Sequence, residues 1–377
     1  MPRRAVAQHG RRAWIAVGLT IVALAAIWSG LWYYAAAIVE QTLAGWYQRE
    51  AAAGRNYSCG SQTVGGFPLK LAVRCDGVAV DVKSAQPAFS VAAKTATFGA
   101  MIWQPTTLVG EVGGPLTFAE LGQAARFRAD WNRGQMTVRG IPPNPESASL
   151  SFETPHVDRV TGAGASDELF KADRVDAAAR VVAGEPNHHP VIEVTLHFGG
   201  AAAPALHTLL AAAADINLDA VVRGFDDLGP KSWPERIREM RAAGGGIDIK
   251  EIRLSQGDAI VIVGSGTLTL NDHGKLDGIL GVAVVGIERI IPMLGIDRLA
   301  AQGVDRLAGG ENLLDRLAPG IRGVIRQGAN AGAIETVKKM GQPANVDGKP
   351  AVALPLRFVD GAIFLGVIPV GQIPPVF

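Results

Sequence analysis

An unbroken uncharged run from Ala13 to Val39 follows four arginines, Arg3, Arg4, Arg11 and Arg12. About 20 apolar residues at about 1.5 Å each suffice to cross a bilayer core, so this run is long enough to span one. Cationic residues on the N-terminal side hold that end in the cytoplasm. Trp14 lies near the entry, and Trp28, Trp32, Tyr33 and Tyr34 cluster towards the far end, where amphipathic rings favour the headgroup region. A cleaved signal peptide is the rival reading, with Ala35, Ala36 and Ala37 as a small-residue cleavage site. The apolar region of such a peptide is about 7–15 residues, much shorter than this one, which favours an uncleaved anchor. The expected layout is a cytoplasmic tail over 1–12, an anchor over 13–39, and residues 40–377 outside the cytoplasm.

Charge and cysteine content narrow what that outer part does. The formal net charge of +1 gives no electrostatic reason to expect nucleic acid. Hydrophobic residues make up 48% of the chain, enough apolar surface for a core and not a disordered composition. The 46 glycines and the scarcity of aromatic residues beyond the anchor favour strands and turns over a helix bundle. The two cysteines, Cys59 and Cys75, both follow soon after the anchor. In an oxidising compartment they are expected to pair as a structural disulfide, since no C-x-x-C spacing or nearby histidine supports a redox or metal role.

Period-two alternation dominates the chain. Leu69, Leu71, Val73 and Cys75 oppose Lys70 and Arg74, and Val78, Val80 and Val82 oppose Asp81 and Lys83, with Asp76-Gly77 between them read as a hairpin turn. Further strands are expected at 89–98 and 106–112, then a short helix near 118–127 capped by Thr117 with Glu120 three residues on. The Pro-rich stretch 141–145 marks a possible subdomain break near 141–146. Strands follow at 147–152, 169–182 and 191–198, and an amphipathic helix at 233–243 is capped by Ser232 and closed by Gly244. Ile247 and Ile249, then Ile252 and Leu254, alternate with a one-residue slip that implies a bulge.

Strands at 260–263 and 268–270 lead through the Asn271–Gly274 turn to a strand apolar on both sides. Leu276, Leu280, Val282 and Val284 are on one face, and Ile279, Ala283 and Val285 on the other. Such a strand is either sandwiched in a core or lines an apolar cavity. Residues 286–340 carry helical spacing, and a terminal hairpin turns at Asp360-Gly361. The fold class is therefore β-rich α+β: an N-terminal transmembrane helix, then curved antiparallel sheets forming an apolar groove or sandwich, with helical insertions.

Signatures of phosphate-binding, dinucleotide-binding, zinc-hydrolase and α/β-hydrolase chemistry do not occur. His188-His189 sits in a proline-flanked loop with Glu185 as its one acidic neighbour, too few ligands for a metal. His156 and Asp158 border a glycine-rich loop before Asp167-Glu168, which reads as loop before it reads as an acid–base pair. His197 and His207 stand apart. The chain is thus expected to be no enzyme, with no catalytic residue, metal or cofactor. Its candidate ligand is apolar, and the candidate groove or core residues are Leu268, Leu270, Ile279, Leu280, Val282 and Val284.

Several short motifs carry a resemblance. The anchor, Cys59, Gly66-Phe-Pro-Leu69, Cys75-Asp-Gly77 and the closing 360–369 segment resemble the proteobacterial envelope family known as domain of unknown function 2125. Gly66-Phe-Pro68 opening an alternating strand and Gly264-Ser-Gly-Thr-Leu-Thr-Leu270 are similar to AsmA-like envelope proteins. The resemblance implies an inner-membrane protein with its main domain in the periplasm, and β-strands curled into an apolar groove. The partners it implies are the membrane, a phospholipid or other acyl-chain lipid, and other envelope proteins. The alternative is an envelope scaffold with a packed core and no ligand.

Overall fold

The computed structural model describes residues 5–140, 145–161, 166–229, 231, 233–293, 341–365 and 368–373. The chain is mostly antiparallel sheet behind a long apolar helix, and it divides into two units, 1–128 and 129–377. The division falls ahead of the Pro-rich stretch at which a break was expected, most of which lies outside the described residues.

The first unit begins with α1 (Ala5–Ala52), which continues well past Val39. At 1.5 Å per residue its 48 residues are about 72 Å long, more than twice a bilayer core. Thr20 and Ser29 each return their hydroxyl to the carbonyl four residues back, at 2.9 and 2.8 Å, so neither is left unpaired in the apolar stretch. Gly54, at φ 78°, ends the helix in the left-handed conformation usual after a helix C-terminus. The chain then runs directly into β1 (Arg55–Gly65), β2 (Lys70–Val82), β3 (Phe89–Met101) and β4 (Gln104–Glu120), a meander of antiparallel neighbours.

Two expectations fail here for related reasons. Asp76-Gly77 is no hairpin turn: β2 passes straight through it, with Gly77 at φ 68°. The Thr117–Glu120 spacing caps no helix, because Thr117 and Phe118 lie in β4 opposite Ala92 and Val91. In both places a local signal of two to four residues yields to the ladder of a long strand.

The second unit contains β5 (Phe127–Asp130, which begins in the first unit), β6 (Arg133–Arg139), β7 (Ser147–Glu153), β8 (His156–Val160), β9 (Ser166–Lys171), β10 (Arg174–Glu185), β11 (His188–Ala201) and β12 (Ala214–Arg223). After α2 (Trp233–Ala242) come β13 (Gly246–Gln256), β14 (Ile260–Leu270), β15 (Leu276–Val285), α3 (Ile287–Met293), β16 (Gln342–Val346), β17 (Lys349–Val359), β18 (Ala362–Leu365) and β19 (Ile368–Gln372). The strand expected over 169–182 is two, β9 and β10, parted at Ala172-Asp173. Of the helical reading of 286–340 the described residues include only α3; 294–340, and Ser232, lie outside them.

Successive antiparallel pairings run β6–β7–β10–β11–β12–β13–β14–β15–β17. The expected slip in β13 is present: Asp219 faces Glu251 while Ala220 faces Ile249, so Lys250 is the extra residue of a bulge. That bulge keeps Ile249 and Ile252 both turned towards the main core. The core gathers Leu268, Leu280, Val282, Val284, Ile287, Ile290, Leu354 and Phe358. Each fully buried aliphatic side chain there stabilises the fold by about 1.5–3 kcal/mol. Asn271 Oδ1 accepts from the amides of His273 and Lys275, both at 3.0 Å, and closes the β14–β15 turn. Asp360 and Gly361, at φ 49° and 77°, make the β17–β18 turn as expected.

Candidate functional site

A cavity of about 910 Å³ lies between the second half of α1 and the β1–β4 sheet. Val39, Leu43, Trp46 and Tyr47 form its helical wall, spaced i, i+4, i+7 and i+8 on one face. Its other wall is built by an unusual change of face within β2. Leu71, Val73 and Cys75 occupy odd positions, Val78 and Val80 even ones, and all five line the same cavity. Strict alternation would send the second set to the opposite side. Gly77 in its left-handed conformation makes the change, and β3 repeats it, with Val91 and Ala93 followed by Ala96 and Phe98. The Asp-Gly pair thus brings two apolar half-strands onto one surface.

The disulfide stands in this wall. Cys59 of β1 and Cys75 of β2 are bonded, with S–S 2.06 Å and Cα–Cα 5.7 Å. At the upper end Trp46 packs on Tyr57 with ring centroids 4.5 Å apart, and Tyr47 donates to Gln62 Oε1 at 3.2 Å. Burial, then the nearby Glu50 carboxylate, push the Tyr57 phenol above its ordinary value, so it stays a neutral hydroxyl. At the lower end the lining passes to Met101, Ile102, Pro105 and Leu108. Among the described residues no Asp, Glu, Lys, Arg or His lines the cavity. Ligand pockets commonly measure about 300–1,000 Å³, so this one is at the large end, and its chemistry suits a hydrocarbon.

A second, polar depression of about 520 Å³ lies on the sheet of the second unit, beside another of about 510 Å³. Cross-strand register places Ser151, Asp176, His197 and Asn217 in one row over β7, β10, β11 and β12. His197 Nδ1 and Asn217 Oδ1 are 2.7 Å apart, and Arg174 donates to Asp176 at 2.6 Å. That guanidinium holds the Asp176 carboxyl below the usual range, against a smaller effect of burial. Asp219 Oδ1 is buried with no hydrogen-bond partner among the described residues. His197 is therefore not isolated, contrary to expectation; only the strand register reveals its neighbours.

The residues singled out from sequence are distributed as follows. Leu268, Leu280, Val282 and Val284 are packed in the main core of the second unit, and Leu270 is half-buried. Ile279, on the opposite face of β15, is 56% exposed, whereas Val285 on that face joins a smaller cluster with Val261 and Ala351. The two-sided strand is thus covered on both faces only near its end. Of the aromatics along α1, Trp14, Tyr33 and Tyr34 are exposed, but Trp32 is buried and donates to Lys70 O at 3.1 Å. His188 and His189 open β11 with rings 4.7 Å apart, and Asp158 faces Glu168 across β8 and β9. None of these histidines or acids lines the apolar cavity. Among the described residues no three His, Cys, Asp or Glu side chains converge as metal ligands.

The uncharged run that ends at Val39 does not point to this cavity, because the helix continues beyond it and supplies the helical wall. The stripe Val39, Leu43, Trp46, Tyr47 beyond it was the available signal. The family model for DUF2125, described as an uncharacterised protein conserved in bacteria, matches residues 32–374, and the chain belongs to that family. No curated protein matches the chain.

Proposed function

We propose that this DUF2125 member is an inner-membrane-anchored, periplasmic protein of the bacterial envelope that holds a lipid acyl chain in the α1–sheet groove, without catalysing a reaction. The observation that carries this reading is the groove itself: large, lined by aliphatic and aromatic side chains, and built partly from the helix whose other half is long and apolar enough to span a bilayer. An acyl chain passing from the bilayer into the groove exchanges one apolar environment for another, and the groove spares it the cost of about 0.8 kcal/mol per methylene that exposure to water would bring. The anchor supplies a high local concentration of that ligand. The Cys59–Cys75 bond suits an oxidising compartment.

The test is photo-crosslinking in cells. A photoreactive residue replacing Ala93, on the groove wall, is expected to capture lipid, identified by mass spectrometry; the same residue replacing Thr137, on the second unit's polar face, is not. A second reading, an envelope scaffold that docks other proteins, is favoured by the packing of Leu280, Val282 and Val284 into a solid core. No lipid adduct at position 93, with the fold intact, would favour the scaffold.

A further inference from the structure

Two hairpin tips of the first unit stand beside the apolar stretch of α1. Gly66-Phe67-Pro68-Leu69 joins β1 to β2, and Ile102-Trp103 joins β3 to β4. The Ile102 amide donates to Leu69 O at 3.1 Å and ties the tips together. Trp28 donates its indole N–H to Pro68 O at 3.0 Å, and Trp32 does the same to Lys70 O. Phe67 packs edge-on to Trp32 at 5.6 Å and stacks on Tyr33 at 6.3 Å. The tips are therefore fixed at the height of residues 28–33 of the helix.

That height has a meaning if α1 crosses the membrane. Counting about 20 residues for the hydrocarbon core from Ala13, the first residue after the arginines, reaches Trp32. Pro68, bonded to Trp28 one turn earlier, falls about 6 Å inside that boundary at 1.5 Å per residue. The side chains there match an apolar environment: Phe67, Leu69 and Trp103 are 49%, 51% and 59% exposed. The first charged residue above them, Lys70, sits where its ammonium reaches lipid phosphates.

We infer that the two tips are embedded in the outer leaflet beside the anchor, and that the groove opens there, so that an acyl chain enters sideways from the bilayer. The occupant of the exposed tips is lipid because they are apolar and pack directly against Trp28, Trp32 and Tyr33 in the apolar stretch of α1. Met101 and Ile102 belong at once to the tip and to the groove lining, so the two surfaces are one. This rests on reading α1 as an anchor and the groove as an acyl-chain site.

The experiment uses the full chain in phosphatidylethanolamine–phosphatidylglycerol vesicles containing some doxyl-labelled phosphatidylcholine. An environment-sensitive fluorophore is attached at Trp103→Cys or Phe67→Cys, and in a separate variant at Gly30→Cys, where a side chain meets open space. Both tip labels are expected to emit at shorter wavelength and to lose intensity to the doxyl lipid as strongly as the Gly30→Cys label. A quenched Gly30→Cys label with water-exposed, unquenched tip labels overturns the proposal and leaves the anchor reading intact. If the Gly30→Cys label is also unquenched, the anchor reading fails and the proposal with it. Lipid captured at position 93 with unquenched tips would keep the groove and refute this entry route.

Discussion

Replacing Ala93 with phenylalanine separates a lipid groove from a packed core. Ala93 lines the cavity between Val78 and Leu116, its register partners on β2 and β4. If the space is open to ligand, the ring occupies it at little cost to the fold and excludes part of the chain. Displacing about four methylenes at about 0.8 kcal/mol each weakens binding by about 3 kcal/mol. At 1.4 kcal/mol per tenfold, that is a Kd raised about 200-fold. Urea unfolding should change by less than about 0.5 kcal/mol, as for a substitution away from any packed feature. The assay pairs urea unfolding of Ala93→Phe with displacement of a fluorescent phospholipid. A loss of about 1–3 kcal/mol of stability is what overpacking a filled core costs. Finding that loss, with lipid affinity unchanged or absent in both proteins, would refute the reasoning.

Other consequences are independent of the ligand. Leu280→Ala, in the core of the second unit, should cost about 2–5 kcal/mol in denaturant unfolding, as deletions at packed sites do. Replacing Cys59 and Cys75 by serine opens a loop of sequence separation 16 and should cost about 3 kcal/mol, matched by unfolding the wild type under reducing conditions. Trp32→Phe keeps a ring against Phe67 but loses the bond to Lys70 O, and should cost about 1 kcal/mol or somewhat more.

A pH effect follows around α2. Lys231 bonds Asp227 at 2.6 Å and Glu239 at 3.0 Å, and Arg236 bonds Glu239 at 3.2 Å. The Lys231 bond holds Asp227 below its ordinary value. Burial pushes Glu239 up, but Lys231, the Asp226 amide and Arg236 together outweigh it and bring it down. Lys231 is raised, first by Asp227 and then by Glu239. Lowered carboxylates stabilise above their unfolded values near about 4 and lose that as pH falls through the folded ones; a raised lysine stabilises below about 10.4 and loses that as pH rises. Amide-exchange protection of α2, corrected for intrinsic rates, should be flat from about pH 5 to about 9 and fall outside that window. A change within it would refute the assignment.

The periodic signals in this chain were legible where a single strand obeyed a single alternation. The β13 bulge, the Asn271 and Asp360 turns and the α2 span all follow from patterns of two to ten residues that no tertiary contact opposes. The misreadings share a different cause. Asp76-Gly77 has the composition of a hairpin turn, and Thr117 with Glu120 has the spacing of a capping box. Both signals are worth about 1 kcal/mol, less than the ladder bonds and cross-strand contacts of a thirteen- or seventeen-residue strand. What no window reveals is partnership: His197 meets Asn217 and Asp176 only through register across β10, β11 and β12.

The location of the groove follows from the same physics. In the second unit both faces of β15 near Val284 and Val285 meet apolar neighbours, so its aliphatic residues are spent on cohesion. In the first unit the sheet has a single helix to cover it, and over the groove that helix presents one stripe of four residues. A helix is about 10 Å across, whereas the axes of four strands spaced about 4.8 Å apart already span about 14 Å. One helix cannot close such a surface, and the part it leaves uncovered is the groove. The change of face at Gly77 widens the mismatch, because it adds Val78 and Val80 to an apolar surface that strict alternation would have divided. Gly77→Val tests this directly. A β-branched residue resists φ near 68°, so the variant should lose stability or restore alternation, turning Val78 and Val80 away from the groove. Either way lipid capture at position 93 should fall. Unchanged capture together with unchanged stability would show that the glycine is not what holds the two half-strands on one surface.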